Sequence, residues 1–389
     1  MRKCIVFHIF IALCFFSVVH ASITWTQKTN MPTGRDGLGT GVVNDTVYCI
    51  GGWTGGMPNT STGAVEAYDP VADTWITKAS MPTPRGFLAV CVLDGKIYAI
   101  GGWSGSSTQH TTVEVYDPST DSWSSAAPMN YGRDGLGAEV VGGKIYAIGG
   151  FHTNGTIVEE YDTVTNTWSP KTPMQSNRFF FASEVINGKI YIAAGRGSGG
   201  NYAETWEYDP TADTSGGTPW QVKASIPTTR YHPEACVVNG QMYVCAGLNG
   251  SDLACGNLGS AVRAEVNIVE VYDPAGDSWF TEDPMLYARR ELDVGVVGNN
   301  IYAIGGWPSG VCMINEEGQV VTGIKEDRHS VTNKYNMPTI FSGPLPLSVY
   351  ASSKVFDITG REIKTMDLSP GIYFIVIDGE IQQKIIKIR

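Results

Sequence analysis

One unit recurs six times along this chain, and no other feature restricts its folding so tightly. Each unit starts from an arginine: Arg35, Arg85, Arg133, Arg178, Arg230 and Arg289. Thirteen residues after each stands a tyrosine: Tyr48, Tyr98, Tyr146, Tyr191, Tyr243 and Tyr302. Two residues lie between each tyrosine and a pair of small residues: Gly51-Gly52, Gly101-Gly102, Gly149-Gly150, Ala194-Gly195, Ala246-Gly247 and Gly305-Gly306. Ten residues before each arginine is a tryptophan: Trp25, Trp75, Trp123, Trp168, Trp220 and Trp279. Spacings kept six times over a period of 45 to 59 residues define an internal repeat.

Each unit reads as four short strands. Arginine to tyrosine spans a hairpin whose turn is marked by Asp94-Gly95, Gly142-Gly143, Asn187-Gly188 or Asn239-Gly240. The small pair ends the second strand where packing leaves no room for a Cβ. A loop of variable length leads to a third strand ending in Tyr68-Asp69, Tyr116-Asp117, Tyr161-Asp162, Tyr208-Asp209 or Tyr272-Asp273, and the tryptophan lies on the fourth. With 46 glycines and 20 prolines the chain has turns enough for many short strands. Four strands per unit at this period predict an all-β, six-bladed propeller.

The diglycine followed by spaced tyrosine and tryptophan resembles the kelch repeat over residues 25–335, which implies a kelch β-propeller within residues 22–340. In the sixth unit Lys334-Tyr335-Asn336 is the expected third strand, and no tryptophan strand follows it. The strand around Trp25 is the missing piece, so the N-terminal strand is expected to complete blade six and remove the open sheet edge.

The two ends differ from the repeat. Arg2 and Lys3, an apolar run from Cys4 to Val19, and Val19-His20-Ala21 read as a signal peptide over residues 1–21, which places the protein outside the cell or on its surface. From Phe341 the repeat stops. Val355-Phe356-Asp357-Ile358-Thr359-Gly360-Arg361, Pro370-Gly371-Ile372-Tyr373-Phe374 and Lys384-Ile385-Ile386-Lys387 resemble the C-terminal sorting tail of type IX secretion. That resemblance implies a small β domain over 341–389, recognition by bacterial export machinery, and a bacterial source. An ordinary β appendage is the alternative.

Without Arg2 and Lys3 the chain carries 25 basic against 38 acidic residues, a balance that repels nucleic acid and anionic lipid. Beyond the first twenty residues no stretch is apolar for long enough to span a bilayer. No nucleophile elbow, phosphate loop or metal-ligand spacing occurs, so neither a cofactor nor a metal is expected. His110, His152, His232 and His329 come from different blades with no close pair among them.

Strand direction puts the six arginines on one face with the loops that follow the small pairs, and a ligand is expected there, over the central channel. The longest loops are expected after Gly247 and Gly306, the latter running to Tyr335. Arg35, Arg85, Arg133, Arg178, Arg230 and Arg289 are candidate ligand-binding residues, since a guanidinium holds a carboxylate bidentately; tying adjacent blades through backbone carbonyls is the competing role. Trp53, Trp103, Phe151 and Trp307 directly follow small pairs and offer flat faces to a sugar or peptide, or pack under loops. Together they suit an anionic glycan or an acidic peptide. Glu139, Glu184, Glu234, Glu291 and Asp293 are paired with arginines, face channel water, or serve as acid–base groups of a carbohydrate-active enzyme such as a sialic acid mutarotase or an oxidase. Cys255 and Cys312 are placed for a disulfide between the two long loops, whereas Cys49, Cys91, Cys236 and Cys245 fall on inner strands as buried thiols. A secreted binding module for a glycan or protein ligand is the leading reading.

Overall fold

The computed structural model describes residues 22–55, 60–105, 108–151, 155–250, 264–308, 310 and 312–321, together with the strands of a C-terminal sheet between 340 and 387. Six four-stranded antiparallel sheets make up the ring, and the first five run from the channel outwards in chain order. Blade one is Gly39–Val43, Thr46–Ile50, Val65–Asp69 and Thr74–Lys78. Blades two to five repeat it, starting from Ala89–Leu93, Gly137–Val141, Ala182–Ile186 and Glu234–Val238. Adjacent inner strands pack side by side around the ring, and the contact of Gly39–Val43 with Asp293–Val297 closes it.

Blade six is Asp293–Val297, Asn300–Ile304 and Asn315–Val321, with Ser22–Gln27 as its outer strand. The N-terminal strand therefore closes the ring, as expected, with Trp25 opposite Gly318. The third strand corrects the sequence reading: it is Asn315–Val321, and Lys334-Tyr335-Asn336 lies outside the described residues. Glu317 opposes Tyr302 as Ala67 opposes Tyr48, so Gly318 and Gln319 occupy the places of Tyr68 and Asp69. The expected tyrosine is replaced by glycine because Trp25 covers that place. A Cβ on Gly318 would stand 2.7 Å from Ile23 Cδ1 and 2.9 Å from the Trp25 ring. Gly318→Ala should accordingly lower stability by about 1–3 kcal/mol, read as a fall in the denaturation midpoint.

The outer rim is stitched by the repeated aromatic residues. Tyr68, Tyr116, Tyr161, Tyr208 and Tyr272 donate to the side chain five residues on, which in turn accepts the amide of Thr29, Ala79, Ala127, Thr172 or Ala224 in the preceding inter-blade segment. The carbonyls of those same five residues accept Nε1–H from Trp75, Trp123, Trp168, Trp220 and Trp279, and Trp25 makes the matching bond to Asp283. Because these groups are satisfied between blades, the repeat spacing is a statement about neighbours as much as about one sheet.

Residues 326–389 form a second compact unit, starting earlier than the expected boundary at 341. Its sheet has Ile340–Phe341, Glu380–Lys387, Gly371–Ile377, Lys354–Asp357 and Glu362–Ile363 in spatial order. Ile340–Phe341 pairs in parallel with the end of Glu380–Lys387. Residues 1–21 lie outside the described residues. Among the described residues no helix is long and apolar enough to cross a membrane.

Candidate functional site: the loop face over the channel

The six arginines are joints between blades, which overturns their candidacy for ligand binding. All are wholly buried. Arg35 Nη1 donates to Gly51 O at 2.8 Å and Ala64 O at 2.9 Å, while Nη2 pairs with Glu66 at 2.8 Å. Arg133 repeats this with Gly149 O, Ile157 O and Glu159, and Arg289 with Gly305 O, Ile314 O and Glu316. Arg85 and Arg230 pair with Glu114 and Glu270. The backbone of each arginine bonds outwards: Arg85 O accepts from Gly52, Arg133 O from Gly102, and so on around the ring to Arg35 O from Gly306. Gly51 and Gly52, with φ of 65° and 100°, make this seam possible, since a Cβ on Gly51 would sit 2.6 Å from Arg85 O.

Arg178 is the exception. Trp206 stands where the other blades carry the glutamate, and the guanidinium lies 4.9 Å from its ring and 4.8 Å from that of Tyr202. A cation–π contact here replaces the buried ion pair. Burial holds Arg133 and Arg178 down to about 10, still protonated at neutral pH.

Two residues beyond each arginine the chain turns left-handed at Gly37, Phe87, Gly135, Phe180, His232 and Glu291, with φ of 50–59°. These residues form the rim of the channel, and their amides bond around it: Phe87 N to Gly37 O, Gly135 N to Phe87 O, Phe180 N to Gly135 O, His232 N to Phe180 O and Gly37 N to Glu291 O. Phe87 packs over Gly37 and Phe180 over Gly135, so the two glycines leave the space that the rings fill. Phe180 stacks on His232 at 3.8 Å and meets Phe87 edge-on at 5.1 Å. Three rings thus cover the mouth of the channel.

From this centre an aromatic arc runs outwards. Phe180 touches Phe179 at 5.5 Å, Phe179 touches Phe151 at 5.3 Å, and Tyr231 lies 4.9 Å from His232. On the other side Trp53 joins Phe87 to Trp103. Of the four aromatics singled out in the sequence, Phe151 is 49 % exposed, Trp103 and Trp307 are half-buried, and Trp53 is fully buried, packed under the loops. Phe87, Phe179, Phe180 and Tyr231 were missed. Their register, one or two residues after each arginine, was the available signal.

The polar groups at the mouth are mostly acidic. The Asp36 and Glu291 carboxyls meet within hydrogen-bonding reach. Arg290 binds Glu291 at 3.1 Å and Glu265 at 2.7 Å. Burial, reinforced by the Glu291 charge, pushes Asp36 up to about 7, and burial pushes Asp134 up to about 7. Burial also holds His232 well below its usual range, so the ring is neutral beside Glu291, 3.6 Å away.

Beneath the rings lies a cavity of about 460 Å³ lined by the inner strands. Glu139, Glu184, Glu234 and Asp293 face into it, and among the described residues no lysine or arginine lines it. These carboxyls are therefore not paired with arginines. Glu139 accepts from Ser183 Oγ at 2.6 Å, and Asp293 accepts the Thr40 amide at 2.6 Å, filling the unpaired edge of the innermost strand. Burial pushes Glu139 and Asp293 up to about 7, and burial together with neighbouring carboxyls raises Glu184 and Glu234 well above the usual carboxylate range.

Two loop expectations change. The connection from Gly306 to the third strand of blade six ends at Asn315 and is short, while the blade-five loop carries a hairpin, Leu248–Asn249 with Ala264–Glu265. Cys312 is a buried free thiol that donates to Gly305 O at 2.9 Å, so it is not bridged; Cys255 lies outside the described residues. Cys49, Cys91, Cys236 and Cys245 are buried free thiols as well. Among the described residues no cluster of three or more histidine, cysteine or carboxylate side chains is placed to hold a metal. His110 bonds Ser104, and His152 and His329 lie outside the described residues.

Radial four-stranded blades joined by buried arginines and diglycine seams define a β-propeller of six blades. The kelch motif matches residues 34–82, 84–130, 132–175 and 229–286, and the chain belongs to the kelch-repeat family. It is 31 % identical over 106 residues to the human Kelch repeat and BTB domain-containing protein 12, an alignment taking in 26 % of this chain and 16 % of that protein. Among solved structures it superposes on that of YjhT with a TM-score of 0.63 at 18 % identity, covering 77 % of this chain and 98 % of the other. At that identity the likeness is one of fold.

Proposed function

We propose that this protein is an exported binding module that holds a glycan or protein ligand on the loop face over the channel. The contiguous aromatic arc from Phe180 through Phe179 to the half-exposed Phe151 carries this reading, because a mouth covered by rings offers a flat apolar surface without a buried route to water. Kelch membership supports it, as propellers of this family present loops from every blade on one face. Export rests on the sequence of residues 1–21 and on the likeness of residues 341–389 to a sorting tail.

The test is a screen of glycan and peptide arrays with the chain lacking residues 1–21. Replacing Phe151 and Phe179 together with alanine should weaken any captured ligand by at least tenfold with the thermal melt unchanged. Equal binding by the variant would remove the loop face from consideration.

One observation favours a second reading, a carbohydrate-active enzyme of the mutarotase kind. Burial and the Glu291 charge raise Asp36 to about 7, so that it titrates around neutral pH beside a neutral His232, as a general acid next to a general base would. Interconversion of sugar anomers by the same preparation would decide for it.

A further inference from the structure

The mouth differs from the anionic-ligand site expected of exposed arginines. Of the basic side chains at its rim, Arg290 is clamped between Glu265 and Glu291. Arg196 already lies with its guanidinium 5.3 Å over the Tyr231 ring, so this face accommodates a cation on an aromatic. Asp36 is 4 % exposed, and among the described residues its Oδ1 atom has no hydrogen-bond partner. Such a buried, unsatisfied carboxyl oxygen costs free energy that an incoming donor would recover. Asp36 meets Glu291, which lines the channel cavity, and four more carboxyls face that cavity below the rings with no basic residue among them.

We infer that the centre of the loop face takes a positively charged group, an alkylammonium or guanidinium presented by the ligand, set on the Phe87, Phe180 and His232 rings and held by the carboxyls of Asp36 and Glu291. The ring faces attract the charge and the carboxyls accept its N–H donors. This deepens the loop-face reading and rests on it. A consequence is pH dependence. Asp36 is faced by Glu291 and Arg290, and Glu291 by Asp36, Arg290, Glu265 and His232. Because burial raises Asp36 to about 7, the cation meets a protonated carboxyl at pH 5.5 and a carboxylate at pH 8, and affinity rises between the two.

The experiment measures binding of a labelled lysine octapeptide and its glutamate counterpart to the full chain lacking residues 1–21. The lysine peptide should bind at least tenfold more tightly than the glutamate peptide, and at least fivefold more tightly at pH 8 than at pH 5.5. Asp36→Asn with Glu291→Gln should abolish that preference, whereas Asp162→Asn with Asp209→Asn, on the opposite turn face, should keep it. Glu291→Gln alone supplies the readout if the double variant melts early. Tighter binding of the glutamate peptide, or equal losses in the two double variants, would overturn the inference. A ligand that depends on Phe151 but carries no positive charge would overturn it while leaving the loop-face reading intact.

Discussion

Arg133→Met is expected to destabilise the propeller by about 3–5 kcal/mol, the range for removing one partner of a buried ion pair. The arginine is wholly buried, and its loss strands the Glu159 carboxylate, only 1 % exposed, together with the carbonyls of Gly149 and Ile157. Asn130 would still bond one glutamate oxygen, through its amide at 3.0 Å and its side chain at 2.6 Å, but no cation would remain to balance the charge. Arg178→Met provides the internal contrast. Its carboxylate neighbour, Glu204, is 47 % exposed at 3.5 Å, so removal leaves a charge that water still reaches. Chemical denaturation of both variants should show the Arg178 loss at less than half the Arg133 loss. Equal losses would mean that the ion pair itself contributes little.

The second large effect is a gain. Glu139→Gln should raise stability by roughly 1–3 kcal/mol at pH 8 and leave it unchanged at pH 4. A carboxyl that titrates near 7 in the folded ring instead of near 4.5 keeps its full contribution below 4.5. As the pH climbs from 4.5 to 7 the unfolded chain releases its proton first, and the folded state loses ground until both are ionised. Glutamine removes the titration and still accepts the Ser183 hydroxyl. Melting curves at the two pH values check the sign. A variant that is less stable at pH 8 would show the carboxylate engaged with a cation after all.

What the sequence made legible follows from how the ring is joined. Tryptophan, tyrosine and diglycine recur because each is bonded to the next blade, and a bond that must be made six times leaves a spacing that can be read. Blade six was misread at one strand because the Trp25 strand packs on Gly318, which erased the tyrosine that marks the third strand elsewhere. The arginines were legible as positions but not as a role. Their partners Glu66, Glu114, Glu159 and Glu270 recur just as regularly, each two residues before a Tyr-Asp or Tyr-Asp-like pair, and a regular acid opposite a regular base reads as an internal ion pair. The mouth was harder to see. Gly37, Phe87, Gly135, Phe180, His232 and Glu291 share a backbone conformation but no side-chain type, so no spacing of like residues marks them.

Hydroxyl-radical footprinting of the protein with the tightest array ligand bound tests the central claim most directly. Protection should fall on Phe151, Phe179 and Trp307, with the exposed Val71 and Val164 on the opposite turn face labelled as in the free protein. Protection confined to Val71, Val164 and the neighbouring turns, with Phe151 labelled unchanged, would contradict the placement of the site over the channel.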